Sequence, residues 1–379
     1  LDLELSDDEA ALRDNVRSVL AGVCPPAVVR SIYEGDGQLD QLWPQMVELG
    51  WPGLAIDEGH GGLGLGFVEL ALVAEELGRV VAPGPLLATT TQFAPAVREL
   101  GSDDARARFL PGVASGACTG TVAWAEDGRW SVDAVRTTAR RDGDRWILDG
   151  QKCAVVDGAS ADEVVVVARS DAGLGAFVVA GSSLDVAPRT TLDPTMPIAD
   201  VRLDAVIVDA SRVLAEPGAH HVEPALERAA QEATVAIAAM TVGTCRRIFE
   251  VTLEYAKVRE QYERPIGSFQ ALKHRLVDMY LAVERATALV YFAALTIAED
   301  ASERATAAAA AKTAGGDCQR LLANEGLQLH GGVGFTWEHD LHFLLKRAKT
   351  GDALFGGAIA HRAALAQLLG LRPEDGEAA

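Results

Sequence analysis

Apolar residues recur along this chain in two rhythms, and the change between them divides it in three. Ser6 followed by Glu9 is a capping-box signature that opens an amphipathic helix running through Leu20. Helical spacing returns over Leu39–Leu49 and Phe67–Val81. Between those two stretches lies Gly59-His-Gly-Gly-Leu-Gly-Leu-Gly66. A glycine-rich loop cradles phosphate when it follows a strand and opens a helix; flanked by two helices, this one reads as a tight interhelical turn. From about residue 116 to 218 the texture turns to short β-branched runs bounded by Gly, Asp and Ser: Arg145–Gly150, Val164–Ala168, Ala176–Ala180 and Val201–Val208. That spacing predicts an antiparallel barrel or sandwich, without alternating helices.

Helical rhythm resumes near residue 223. Leu272, Leu276, Met279, Val283, Ala286, Val290, Ala293 and Ile297 alternate by four and three, the stripe of a long helix buried in a bundle. The alanine-rich run Ala305–Ala314 predicts another helix, which Gly331 and Gly332 stop. The predicted class is α+β: an N-terminal helical domain over 1–115, a middle antiparallel β-barrel or sandwich over 116–218, and a C-terminal four-helix bundle over 219–379. The glutamate-rich end after Arg372 reads as frayed.

Composition narrows the partners. With 34 Lys and Arg against 54 Asp and Glu the formal charge is −20, which repels nucleic acid and anionic membrane surfaces. Five scattered cysteines include no C-x-x-C pair, so a zinc site or disulfide framework is not expected and a reducing cytoplasm fits. No basic leader precedes an apolar segment at the start, and no uninterrupted apolar stretch approaches membrane-spanning length, so neither a signal peptide nor a membrane span is expected.

The segment Tyr255-Ala-Lys-Val-Arg-Glu-Gln-Tyr-Glu-Arg-Pro-Ile-Gly-Ser-Phe-Gln-Ala-Leu-Lys-His274 joins two long helices and resembles the signature of the acyl-CoA dehydrogenases. Gln328-Leu-His-Gly-Gly-Val-Gly-Phe335 is similar to that family's glycine turn, and Asp57-Glu-Gly-His-Gly-Gly-Leu-Gly64 is a weaker third match. The resemblance implies a flavoprotein that desaturates an acyl-CoA thioester. A carboxylate takes the α-proton, the β-hydride passes to FAD, and an electron-transferring flavoprotein is the electron acceptor. It also implies FAD shared across a subunit interface. From one protomer an arginine after the long helix and a Gln-x-x-Gly-Gly turn reach the ADP part of the cofactor, and Arg259, Gln328, Gly331 and Gly332 match them. A guanidinium pairs with pyrophosphate, and glycines admit it to backbone N–H groups.

The groups the family draws from the other protomer are altered. A Thr-Glu-Pro stretch followed by a Gly-Ser-Asp loop is replaced by Ala125-Glu126-Asp127-Gly128-Arg129-Trp130, and the flavin-contacting aromatic and threonine of a β strand by Ala154 and Val156. The position of the catalytic glutamate is taken by Phe355, and that of a flavin-contacting threonine by Gly357; the alternative base position on the long helix falls at Ala233 and Thr234. No catalytic residue is therefore assigned. Glu232 and Asp352 remain as relocated bases, although a one-residue shift on a helix turns a side chain by about 100°. The losses fall on the groups that build the chain's own isoalloxazine and acyl pocket, while those donated across the interface persist. This resembles the base-lacking subunit of the α2β2 acyl-CoA dehydrogenases of actinobacterial steroid catabolism, which pairs with a homologous base-carrying subunit. Two other readings stay open: a self-sufficient dehydrogenase or oxidase with a relocated base, and a flavin-free scaffold or CoA-ester binding protein. His339 and His342 lie three apart without further ligands, so no metal is expected.

Overall fold

The computed structural model describes residues 4–35, 37 and 41–371. It forms two compact units, one of Val23–Leu70 with Ala82–Ala233, the other of Leu1–Gly22, Ala71–Val81 and Thr234–Ala379. The chain opens with helices α1 (Asp7–Val23), α2 (Pro26–Glu34), α3 (Leu42–Glu48) and α4 (Phe67–Arg79). The reciprocal cap at the start of α1 is formed: Glu9 N–H donates to Ser6 Oγ at 3.3 Å, and Ser6 N–H to Glu9 Oε2 at 2.7 Å. Of the helix expected over 39–49, residues 39 and 40 lie outside the described residues, and the remainder gives α3. The glycine-rich segment is an interhelical turn; a Cβ at Gly62 would fall 2.0 Å from the Ile56 carbonyl oxygen, so only glycine fits.

Next come α5 (Leu86–Ala88), a π-helical turn over Thr89–Phe93, α6 (Ala94–Leu100) and α7 (Asp103–Ala114), then eight strands. These are β1 (Gly120–Ala123), β2 (Thr138–Asp142), β3 (Arg145–Val156), β4 (Glu163–Ser170), β5 (Gly173–Ala180), β6 (Asp185–Arg189), β7 (Ile198–Asp209) and β8 (Val213–Ala215). They form one sheet in the order β6-β7-β3-β2-β4-β5-β8, with β1 also paired to β4. All four strand runs read from the sequence are strands. Most pairings are antiparallel, but β4 runs parallel to both β1 and β2, so the sheet is mixed. One face packs Trp146, Leu148, Val164, Val166, Phe177 and Val201 together; Val165, Val167 and Val178, offset by one residue, pack with Phe93, Phe109 and Leu110. This period of two explains why β4 and β5 read as continuous apolar runs: both faces are covered.

The second unit is helical. After α8 (Val222–Val258), a two-residue hairpin of β9 (Glu260–Gln261) and β10 (Arg264–Pro265) leads into α9 (Gln270–Ala298), followed by α10 (Arg304–His330), α11 (Leu341–Ala353) and α12 (Ala358–Leu368). The stripe predicted on α9 is buried from Leu276 to Ile297, with Leu272 half-buried. By length and composition α9 is long and apolar enough to cross a membrane, and half of its most apolar window is buried within the protein, as in a bundle core. Near its middle, Tyr291 donates 2.6 Å to Glu75, whose carboxylate also pairs with Arg246 at 3.4 Å. Burial raises the Glu75 carboxyl above the ordinary range, and the Tyr291 and Arg246 partners oppose that rise.

Candidate functional site

Two of the sequence-assigned groups meet at one end of the helical unit. The Tyr255 ring stacks on His330 at 4.5 Å and its hydroxyl donates to the His330 carbonyl at 3.4 Å, which ties the end of α8 to the end of α10. Arg259 lies one helical turn beyond Tyr255, and Gln328 one turn before Gly331, so the structure brings all four predicted cofactor residues to this edge. The Arg259 backbone is fixed, its N–H bonded to Tyr255 O at 2.8 Å and its carbonyl to Ile266 N–H at 2.7 Å. Its exposed guanidinium makes no hydrogen bond or ion pair among the described residues, and neither does the exposed Gln328 amide. Gly331 has φ 61 and ψ −142, a conformation essentially reserved for glycine. Gly332 is different: its φ is not in the left-handed region and a Cβ there would meet nothing within 4 Å. This chain's own packing does not require glycine at 332.

The turn at which the resemblance expects a catalytic glutamate lies between α11 and α12. Phe355 is half-buried with φ 57, a strained conformation for a bulky side chain. Three polar groups hold it there. His361 Nε2 donates to the Phe355 carbonyl at 2.8 Å. The buried Lys312 ammonium donates to the carbonyls of Gly351 and Asp352 at the end of α11. The Asp352 carboxylate accepts from Ala358 N–H at 3.2 Å, capping α12, from the Gln319 amide at 3.2 Å and from Lys349 at 3.3 Å. Burial pushes the Lys312 amine down to about 7, against the opposing pull of Asp352. Burial also lowers His361 below its ordinary range; the Phe355 carbonyl opposes this and Lys312 adds to it. Asp352 is thus engaged on three sides as a capping and pairing group.

Glu232, the other relocated-base assignment, is buried in the sheet-bearing unit and ion-paired to Arg98. Arg98 also bonds Glu99, which takes Arg228 Nε at 2.9 Å. A carboxylate charge-paired to a guanidinium is a poor proton acceptor. Ala233 and Thr234 are buried and carry no acid–base chemistry.

In the same unit the segments that the resemblance assigns to the flavin are built around a buried ion pair that sequence reading did not anticipate. Lys152 is wholly buried and donates to Glu126 Oε1 at 2.6 Å; Glu126 also accepts from the backbone N–H of Arg136 at 2.6 Å and of Thr137 at 3.0 Å. Burial pushes Lys152 down to about 8 despite Glu126. Burial alone would raise Glu126, but Lys152 and the backbone donors bring it below the usual carboxylate range. Two residues on, Ala154 sits at φ 53 in a β-bulge, its N–H held by Asp200 at 3.2 Å, while Val156 is buried. The signal for the ion pair was present in the sequence: Lys152 follows the β3 alternation at an inward position. For Lys312 it was a single cation inside an alanine run.

Among the described residues no group of three or more potential metal ligands occurs. None of the five cysteines is joined in a disulfide. His342, one of the spaced pair, stacks on Trp337 at 4.7 Å.

The acyl-CoA dehydrogenase N-terminal domain matches residues 6–117 and the acyl-CoA dehydrogenase C-terminal domain matches 225–369. Acyl-CoA dehydrogenase IpdE2 of Mycobacterium tuberculosis is 33% identical over 90% of this chain and 91% of its own length. Acyl-CoA dehydrogenase FadE34 of the same organism is 30% identical over 93% of this chain but only 47% of its own length. Among solved structures, a chain of the ChsE4–ChsE5 complex from Mycobacterium tuberculosis superimposes with a TM-score of 0.88 at 28% identity, covering 99% of this chain and all of that one, at 100%. These matches, from one end of the chain to the other, define an oxidoreductase acting on CH–CH bonds. The chain belongs to the acyl-CoA dehydrogenase family.

Proposed function

We propose that this chain is the subunit without a base in a heterotetrameric, FAD-dependent acyl-CoA dehydrogenase, and that it completes the FAD site of a homologous, base-carrying partner. One contrast carries the reading. The exposed side chains of Arg259 and Gln328 make no hydrogen bond or ion pair among the described residues and stand beside the exposed Gly331–Gly332 backbone, while among the described residues no unengaged carboxylate stands at the turn or the helix where a base is expected. Phe355 occupies the turn, Asp352 is tied into it, and Glu232 is ion-paired to Arg98. Similarity to a chain of the ChsE4–ChsE5 complex supports a heteromeric assembly. So does the match to about half of FadE34, whose length leaves room for a second unit of this size.

The residues present fit the ADP half of a flavin dinucleotide. Arg259 offers an uncompensated guanidinium for a pyrophosphate, the Gln328 amide offers donor and acceptor, and the open backbone at Gly331–Gly332 offers close approach. When bound, FAD supplies the hydride acceptor for desaturation of an acyl-CoA thioester. This chain's residues orient and neutralise the dinucleotide, and the partner supplies the α-proton acceptor. Steroid-type CoA esters are the proposed substrates, an electron-transferring flavoprotein the acceptor and the cytoplasm the compartment.

Visible absorption of the chain purified alone and with its partner tests the proposal. Flavin absorbance only in the complex is expected. Arg259→Ala should weaken FAD retention there about ten- to a hundredfold, the worth of one charge-assisted pair. A yellow chain that desaturates acyl-CoA alone would support the relocated-base reading, and a colourless complex the scaffold reading.

A further inference from the structure

The first half of α9 is apolar but poorly covered. Between Gln270 and Leu281 only Leu276 and Met279 are buried, while Val277, Tyr280 and Leu281 are exposed by 54%, 47% and 57%. These three lie three and four residues apart, on the side of the helix away from its buried stripe. On the same line Lys273 stands one turn before Val277, and Glu284 one turn after Tyr280. The order is cation, Val, Tyr, carboxylate, at intervals of four, three and four residues, over about 16 Å of helix. Lys273 is exposed and makes no hydrogen bond or ion pair among the described residues. Glu284 accepts from Arg246 at 2.8 Å through Oε1, and its Oε2 makes no hydrogen bond among the described residues. Phe249 of α8 meets Tyr280 with ring centroids 5.7 Å apart, which widens the apolar ground. The row is complementary to its own reverse. Two antiparallel copies about a two-fold axis between residues 278 and 279 would set Lys273 against Glu284 at both ends and Val277 against Tyr280 on both sides of the axis. The net charge of −20 opposes self-association, but that repulsion is screened over about 8 Å at physiological ionic strength, so local pairs at contact distance decide. A lipid surface would take the three apolar side chains and leave the Glu284 carboxylate without a match.

We infer that this side of α9 is a self-association face, through which two copies of this chain join across a two-fold axis with Val277 and Tyr280 at the centre and Lys273–Glu284 pairs at the ends. The inference goes beyond the flavin reading and does not depend on it, since none of these residues belongs to the Arg259–Gly332 edge. In the proposed heterotetramer it makes this subunit the joint between two flavin-sharing pairs.

Sedimentation equilibrium of the full chain tests it, with a dimer expected at tens of micromolar. Tyr280→Asp should weaken self-association about a hundredfold or more, because each substitution acts twice across the axis. Lys273→Glu and Glu284→Lys should each weaken it about tenfold by setting like charges face to face at both ends. Mixing those two variants in equal amounts should restore near wild-type association, because every end contact of the mixed dimer again joins a cation to a carboxylate. A merely structural role for either residue would not produce that rescue. Unchanged thermal unfolding shows that the variants are folded; should Glu284→Lys lower the Tm through loss of its Arg246 pair, Lys273→Glu and Tyr280→Asp still decide. A wild-type chain that stays monomeric at those concentrations, variants that dimerise as wild type does, or a mixture of folded variants no tighter than its components overturns the inference.

Discussion

Replacing Glu126 by Gln removes the only carboxylate bonded, among the described residues, to the buried Lys152 ammonium while leaving an amide oxygen to accept the Arg136 and Thr137 N–H groups. The size of the effect follows from the Lys152 proton. Its amine titrates near about 8 in the fold, against about 10.4 in an unfolded chain, and each pKa unit is worth about 1.4 kcal/mol. Burying the charge therefore already costs about 3 kcal/mol, and wild-type stability should rise with pH between about 8 and 10.4 as the unfolded chain holds the proton that the fold releases. Without Glu126 the folded pKa falls further. Once the amine sheds its proton, the total cost is set by the distance from pH to the unfolded pKa. That caps the added loss at about 1.5 kcal/mol at pH 7 and about 3 kcal/mol at pH 6, less than the 3–5 kcal/mol typical of a broken buried pair. Denaturant unfolding of wild type and Glu126→Gln at pH 6, 7 and 9 measures it. The difference should shrink as pH rises. A loss that is the same at all three pH values, or larger at pH 9, would refute the reasoning.

Two further outcomes are expected. Glu263 sits at φ 62 at the tip of the β9–β10 hairpin, so Glu263→Gly should relieve left-handed strain and stabilise the helical unit by about 0.5–1 kcal/mol, read as a higher Tm; a lower Tm would mean that the side chain holds the hairpin. Asp352→Asn should cost about 1–2 kcal/mol in denaturant unfolding through a weakened cap on α12 and lost charge compensation of Lys312; an activity loss in the complex with no stability loss would instead mark Asp352 as a base.

Much of the architecture was legible because its signals are local. The Ser6–Glu9 cap, the α9 stripe and the four β-branched runs each depend on neighbours within a few residues. The parallel pairings of β4 with β1 and β2 were not legible, since they depend on which distant segments meet. The candidate site divides in the same way. Arg259, Gln328, Gly331 and Gly332 lie in compact motifs, yet their convergence rests on Tyr255 packing against His330, 75 residues away. The groups that pin the Phe355 turn were overlooked for a different reason. Lys312, Gln319 and His361 look like ordinary polar positions on helices, and their role appears only when α10, α11 and α12 are seen to meet at that turn.

The central claim is that two chains share one flavin, and the flavin-to-protein ratio of the purified complex tests it most directly. Absorbance of FAD released by denaturation, set against the quantity of each subunit, should give one FAD for each pair of unlike chains and none for this chain alone. One FAD per chain in the complex, or a stoichiometric flavin on this chain by itself, would contradict the account.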